Sequence, residues 1–319
     1  MATAVAEIVT RAAAAVPTFT PAPERADGAG ARGPGNPSAA VPITDRPTTP
    51  TALESVVVRV VVAMPGPVLD DAAQTVVAAA DFGWSGPVRL GELIAARVVG
   101  LDCPIDVVND GNAAALAEYH ARPRVRRGLV LIEAGTGIGG GVVLDGRIHT
   151  GVHGIAGEPG HMPVSFDGPE CFCGAHGCLV GYAGPEAVLD AAGLGGVLRQ
   201  EGLDAAAIRL LDALTSGEPR ASVAIEVAGR ALGAAVLSIT ALLDVEEIVL
   251  GGLLAQWFPW LGPELERQLA GRRALAPALD IEIAPAILDA DAMLHGAVEF
   301  ARRTVISDPS AVPLLTVRR

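Results

Sequence analysis

From about residue 54 the chain alternates between β-branched runs and stretches with apolar residues at helical spacing, and this alternation restricts it to the α/β class. The run "ESVVVRVVVAMPGPV" ends on the turn signal Pro65-Gly66-Pro67, so it reads as a buried strand entering a loop. A helix "VRLGELIAARVVG", a strand "PIDVVND" and a helix "NAAALAEYH" follow. A second set opens with the strand "GLVLIEAGTG" and the hairpin "GGGVVLDGRIHTG", then passes through a cysteine-rich loop and several helices, among them "VAIEVAGRALGAAVLSITALL". It closes with the strands "EEIVLGGLL" and "DIEIAPA" and the helix "DAMLHGAVEFARRTV". Ahead of this pattern, residues 1–16 read as one short helix with Val5, Ile8, Val9 and Ala12 on a common face. Residues 17–53 are dense in Pro, Gly, Ala and Thr and lack the apolar side chains that would offset ordering entropy, so they read as a disordered linker or insertion.

The 319 residues, half of them hydrophobic, leave room for two domains. A net charge of -13, from 23 basic against 36 acidic residues, sets a surface field that repels a phosphate backbone, so no DNA binding is expected of this chain alone. The one basic cluster, Arg122, Arg124, Arg126 and Arg127 in "ARPRVRRG", reads as a solvated loop. Charges interrupt the apolar runs before they reach the roughly 18 residues of a membrane span. The first residues have no basic start and carry Glu7 and Arg11, unlike a signal peptide. A cytoplasmic chain with no membrane partner is the resulting expectation.

His161, Cys171, Cys173 and Cys178 are spaced H-x9-C-x-C-x4-C in "GEPGHMPVSFDGPECFCGAHGCLV". Metal ligands, a disulfide or buried thiols could explain them; a cytoplasmic chain disfavours the disulfide, and Gly174 and Gly177 allow the bend a metal turn needs. A Cys3His set closes the coordination sphere of Zn2+, which marks the metal as structural rather than catalytic. Cys103 reads as an inert buried thiol. "GTGIGGG", Gly135 to Gly141, contains a G-x-G-x-x-G pattern, but a strand follows it instead of a helix. It is either a plain tight hairpin or a turn whose backbone N–H groups approach a phosphate. Asp110 ends a strand and precedes a helix, so it either caps that helix or accepts a proton from a sugar hydroxyl.

Together the ordered motifs "AMPGPV", "VNDGNAAALAEY", "GTGIGGGVVLDG", "GEPGH", "CFCGAHGC" and "EEIVLGGLL" resemble the ROK family of sugar kinases and sugar-responsive repressors, from about residue 54 to the C-terminus. The resemblance implies a two-lobed actin-like ATPase fold, a zinc-bearing loop shaping a sugar site, and a homo-oligomer. It implies Asp110 as catalytic base, Asn109 as its sugar-contacting neighbour, and Glu158 and His161 facing sugar hydroxyls. Gly135, Thr136 and Gly137 would face phosphate, with Gly251 and Gly252 on the nucleotide side. The lobes are expected over 54–121 and 122–290, the latter with the zinc loop at 157–180, followed by a helix over 291–306 and a tail over 307–319.

Two departures from the family pattern stand out. No Asp-x-Gly-x-Thr turn occurs in residues 1–53, so the N-terminal lobe is expected to be incomplete. Val180 stands where the family has a sugar-binding glutamate, and it is expected to point into the sugar cleft and weaken binding. With "ADFGW" and "GYAGPEAVLDAAGL", which look repressor-like, these departures favour a regulator-type domain that senses a sugar or sugar phosphate without efficient kinase activity. An ATP-dependent sugar kinase, using ATP and Mg2+, and a nonfunctional remnant are the alternatives.

Overall fold

The computed structural model describes residues 57–79, 82–98, 103–123, 126–276 and 281–312. The helix expected over 1–16 and the linker over 17–53 lie outside them. Strand β1 (Val60–Met64), strands β2 (Thr75–Val76) and β3 (Val88–Arg89), helix α1 (Leu90–Ala95), strand β4 (Ile105–Asn109) and helix α2 (Asp110–Ala121) form the first set. β1 and β4 pair in parallel from Val60↔Ile105 to Met64↔Asn109, while β2 and β3 form a separate antiparallel pair. Met64, Val76, Leu90, Ile94 and Val107 close a small core between them. The segment read as one helix from Val88 first makes the short strand β3, and the helix begins at Leu90.

The second set comprises β5 (Gly128–Ala134), β6 (Ile138–Leu144), β7 (Arg147–Ile148), α3 (Val180–Ala183), α4 (Pro185–Ala191), α5 (Gly195–Glu201), α6 (Leu203–Thr215), α7 (Pro219–Leu243), β8 (Glu247–Gly252), α8 (Leu253–Gln256), α9 (Phe258–Leu275), β9 (Glu282–Pro285) and α10 (Ala292–Ser307). Its sheet has the order β7-β6-β5-β8-β9, with β5 antiparallel to β6 and parallel to β8. The β6–β7 turn is Asp145-Gly146, both at positive φ, as a two-residue hairpin requires. β5 reads as a continuous apolar run because both its faces are covered. Val130, Ile132 and Ala134 face the large cluster built on α7, Trp257 and α9. Leu129 and Leu131 face a second cluster under α2 and α10.

α7 is long and apolar enough to cross a membrane by length and composition, which the sequence reading did not anticipate; Ala224, Ile225, Ala228, Leu232, Ala235, Val236 and Ile239 instead face the large core. α2 is buried from Gly111 to Glu118, sandwiched between the sheet and α10. A Cβ at Gly296 of α10 would run into the carbonyl of Ala113, so this crossing depends on glycine.

Two members of the basic cluster, Arg122 and Arg126, are not solvated. The Arg122 side chain is 9% exposed and bridges Glu118 at 3.1 Å and Glu247 at 2.7 Å, and Arg126 reaches Glu282 at 2.7 Å. Glu118, itself buried, also accepts the backbone N–H groups of Ile287 and Leu288, at 3.1 and 2.7 Å. This network ties the C-terminal turn of α2 to β8 and to the segment after β9. Arg124 lies outside the described residues, and Arg127 is exposed and paired with Asp145.

Candidate functional site

Both β1 and β4 end at the same edge, and the chain there turns through Pro65-Gly66 and into α2. Asn109 caps the helix: its side-chain oxygen accepts the Asn112 N–H at 2.8 Å. Its amide donates to the Gly66 carbonyl at 3.0 Å and to Asp110 at 3.3 Å. The capping role that could have explained Asp110 therefore belongs to its neighbour. Asp110 is the first helical residue and accepts the Gly111 N–H at 2.8 Å, with its carboxylate at the positive end of the helix dipole.

The glycines of β6 let three segments converge. A Cβ at Gly111 would strike the Gly140 carbonyl, and one at Gly141 would lie 2.7 Å from the Asn112 Cα. On Gly140 it would lie 2.8 Å from the Pro159 ring. Side chains on β6 would thus push apart the first turn of α2 and the Glu158–His161 turn. Glu158 is half-buried, and burial, followed by the charge of Asp110, holds its carboxyl above the usual glutamate range. Sequence reasoning missed two residues here. Asn112 is 4% exposed, and its side-chain oxygen has no hydrogen-bond partner. Glu133, near the end of β5, has a carboxyl raised by burial first and then by Asp110 and Glu118. A charge interrupting an apolar strand was the available signal.

The ends of β5 and β8 pair as Ala134↔Gly252, which brings the Gly135–Gly137 turn beside Gly251 and Gly252. A Cβ at Gly135 would meet open space. Gly252 has φ +57, and a Cβ there would hit the Ala134 carbonyl, so both conformation and crowding require glycine. Val180 opens α3, packs against the large core and approaches Gly137 and Gly184. It thereby borders the glycine turn. Cys103 is half-buried rather than buried.

His161, Cys171, Cys173 and Cys178 present ligand atoms that all lie within 4.8 Å of one another. The Cys171 sulfur is 3.5 Å from His161 Nδ1, and the Cys173 and Cys178 sulfurs are 3.6 Å apart. A tetrahedron built on Zn–S of about 2.3 Å and Zn–N of about 2.0 Å has edges of roughly 3.5 to 3.8 Å, so this donor set fits zinc. Burial pushes the Cys178 thiol up to about 12, with the neighbouring cysteines adding to the shift, and burial lowers His161. Gly177, at φ +70, approaches the Ser165 backbone too closely for any side chain.

The ROK family model matches residues 48–304, and the chain belongs to this family. Its mixed α/β architecture is the actin-like ATPase fold of ROK sugar kinases. A crystal structure of a ROK family glucokinase from Streptomyces griseus, in complex with glucose and AMPPNP, is 28% identical, with a TM-score of 0.61, over 76% of this chain and 80% of that one. A ROK family transcriptional regulator homologous to the MLC protein of E. coli is also 28% identical, with a TM-score of 0.63, over 78% of this chain and 63% of that one. Among curated relatives, the kanosamine kinase of Amycolatopsis mediterranei is 38% identical over 195 residues, 60% of this chain and 61% of the relative. The N-acetylmannosamine kinase of Salmonella typhi is 35% identical over 149 residues, 47% of this chain and 49% of the relative. The chain thus spans about half to three-fifths of the length of these curated relatives. They are kinases, which overturns the expectation of a sugar-sensing regulator without efficient kinase activity. The repressor-like stretches that suggested it do not outweigh similarity to named kinases over 195 and 149 residues.

Proposed function

We propose that the chain is an ATP-dependent sugar kinase in which Asp110 is the general base. The observation that carries the reading is the position of Asp110: Asn109 takes over the helix cap, and the Asp110 carboxylate stands at the strand edge, its charge felt by both Glu158 and Glu133. α/β clefts bind ligands at such edges. In the reaction, a sugar hydroxyl held by Asn109, Glu158 and His161 gives its proton to Asp110 as its oxygen attacks the terminal phosphorus of ATP. The P–O bond to the leaving ADP breaks. Positioning does most of the work, since phosphoryl transfer has a loose transition state with little covalent chemistry for the protein. Mg2+ bound with ATP would supply charge neutralisation at the phosphates. Gly135, Thr136 and Gly137 face the phosphates, and Gly251 and Gly252 line the nucleotide side, where missing side chains permit close backbone approach.

His161, Cys171, Cys173 and Cys178 would hold a structural zinc that fixes the loop over 157–180, so that Glu158 and His161 face the sugar. In this reading residues 54–121 belong to an N-terminal lobe and 122–290 to a C-terminal lobe, and among the described residues the first holds four strands and the second five. The test is sugar-dependent ADP release with hexoses, amino sugars and N-acetylhexosamines, in wild type and in Asp110→Asn. A sugar that stimulates release, with a loss of at least about a hundredfold in the variant, is expected. No stimulation by any sugar, or a rate that survives the substitution, would overturn the reading.

A further inference from the structure

Glu133 is the one charged residue in the apolar run of β5, and its place follows from the register. Leu129, Leu131 and Glu133 alternate onto the face of the sheet that α2 and α10 cover. Its cross-strand neighbours are both glycine: Gly139 on β6 and Gly251 on β8. A Cβ at Gly251 would lie 3.1 Å from both the Cβ and the Cγ of Glu133, so a side chain there would displace the glutamate stem. At Gly139 a Cβ would meet nothing within 4 Å. The carboxylate therefore lies in a trough without side chains on either flanking strand, near the first turn of α2 and two residues before the Gly135–Gly137 turn. Burial, then Asp110 and Glu118, hold its carboxyl above the usual range, and the chain contains no lysine.

A carboxylate at this point is an obstacle to phosphoryl transfer unless something neutralises it. The glycine turns on one side are where an anionic triphosphate would lie, and Asp110 on the other side is itself anionic. We propose that Glu133 is a positioning residue for the phosphate donor: its carboxylate takes the divalent cation that accompanies a nucleoside triphosphate, between the glycine turns and Asp110. The donor chemistry fits, because Mg2+ prefers hard oxygen ligands and is commonly held by one or two carboxylates together with substrate phosphates. The flanking glycines then have a shared purpose, leaving room for hydrated metal and phosphate over the strand ends. This role rests on the kinase reading for its place in the reaction, but its binding part can be measured without turnover.

The experiment is Mn2+ binding to the full chain in the presence of AMPPNP, followed by electron paramagnetic resonance, in wild type, Glu133→Gln and Glu133→Asp. Circular dichroism verifies that the variants fold. Wild type is expected to bind Mn2+ in the ternary complex, Glu133→Gln to bind it at least about tenfold more weakly, and Glu133→Asp to recover much of the loss. With a sugar that supports turnover, Glu133→Gln raises the Mg2+ concentration needed for half-maximal rate, while saturating Mg2+ restores kcat. Equal Mn2+ affinity in wild type and Glu133→Gln, or no Mn2+ binding by wild type, overturns the role whatever the kinase assay gives. An unchanged Mn2+ affinity with an altered preference between a cationic amino sugar and a neutral hexose also overturns it, by assigning Glu133 to the acceptor. Glu133-dependent Mn2+ binding in a chain that phosphorylates no sugar would uphold the cation role while sinking the kinase reading.

Discussion

Strand β5 has a hydrogen-bonded partner on each side and a hydrophobic cluster on each face, whereas β1 pairs among the described residues with β4 alone, and four of its five residues are only half-buried. The site draws on both regions. Asp110 emerges from the sparse side, at the end of β4, but the helix it begins is packed against β6, clamped by α10 and tied at its far end to Glu247 and the Ile287-Leu288 backbone. Asp110 thus inherits its position from the dense region, and the glycine turns and the Glu158–His161 segment come from that region too. The five-stranded sheet holds most of the candidate site, and the β1–β4 pair contributes the strand edge from which Asp110 and the Gly66 carbonyl issue.

Three substitutions press on this comparison. The largest effect is expected at the His161–Cys178 loop, which in the proposed reading a metal rather than an apolar core would hold. Cys178→Ser should lose zinc, from one ion per chain in wild type by elemental analysis, and open the 157–180 segment to proteolysis, because structural zinc contributes directly to folding. Zinc-free soluble wild type would remove the metal from the account. Next comes Glu118→Ala, which detaches the end of α2 from the dense region and leaves two backbone N–H groups without their acceptor. Breaking such a buried pair costs about 3–5 kcal/mol, read as a lower denaturation midpoint. A change below about 1 kcal/mol on the exposed-pair scale would show that α2 is held elsewhere.

The smallest effect concerns pH. Burial and Asp110 raise the Glu158 carboxyl in the folded chain above its ordinary value of 4.5. The contribution of this group to stability is complete below that ordinary value and is lost as pH rises through the raised folded value. Glu158→Gln should therefore be more stable than wild type at neutral pH and lose that advantage near pH 4 (roughly the model carboxylate range). Thermal midpoints of both proteins across this range decide it. An advantage that grew toward acid would reverse the sign and the argument.

Much of the fold was legible because apolar runs long enough to be buried announce themselves, as in β5, β8 and α7. The two-residue strands β2 and β3 were not, since nothing in Thr75-Val76 or Val88-Arg89 has a period to read. The His161, Cys171, Cys173 and Cys178 cluster was legible because its members lie close in sequence. Arg122 was misread because one of the partners that bury it, Glu247, is 125 residues away. Asn109 and Asp110 are both good capping types, and only the folded backbone decides that Asn109 takes the cap. Glu133 passed as one residue of a strand because its meaning lies in the register, which sets it between Gly139 and Gly251.

The central claim is that Asp110, carried on a helix fixed by the dense region, is the base for phosphoryl transfer to a sugar. The most direct test is transfer of the labelled terminal phosphoryl group of ATP to a sugar, with the phosphosugar identified by mass spectrometry, in wild type and in Asp110→Asn of matched circular dichroism and melting behaviour. The account predicts a labelled phosphosugar from wild type and a loss of about 10²- to 10⁴-fold in the variant. Label appearing only as inorganic phosphate, or a phosphosugar formed equally by both proteins, would contradict it.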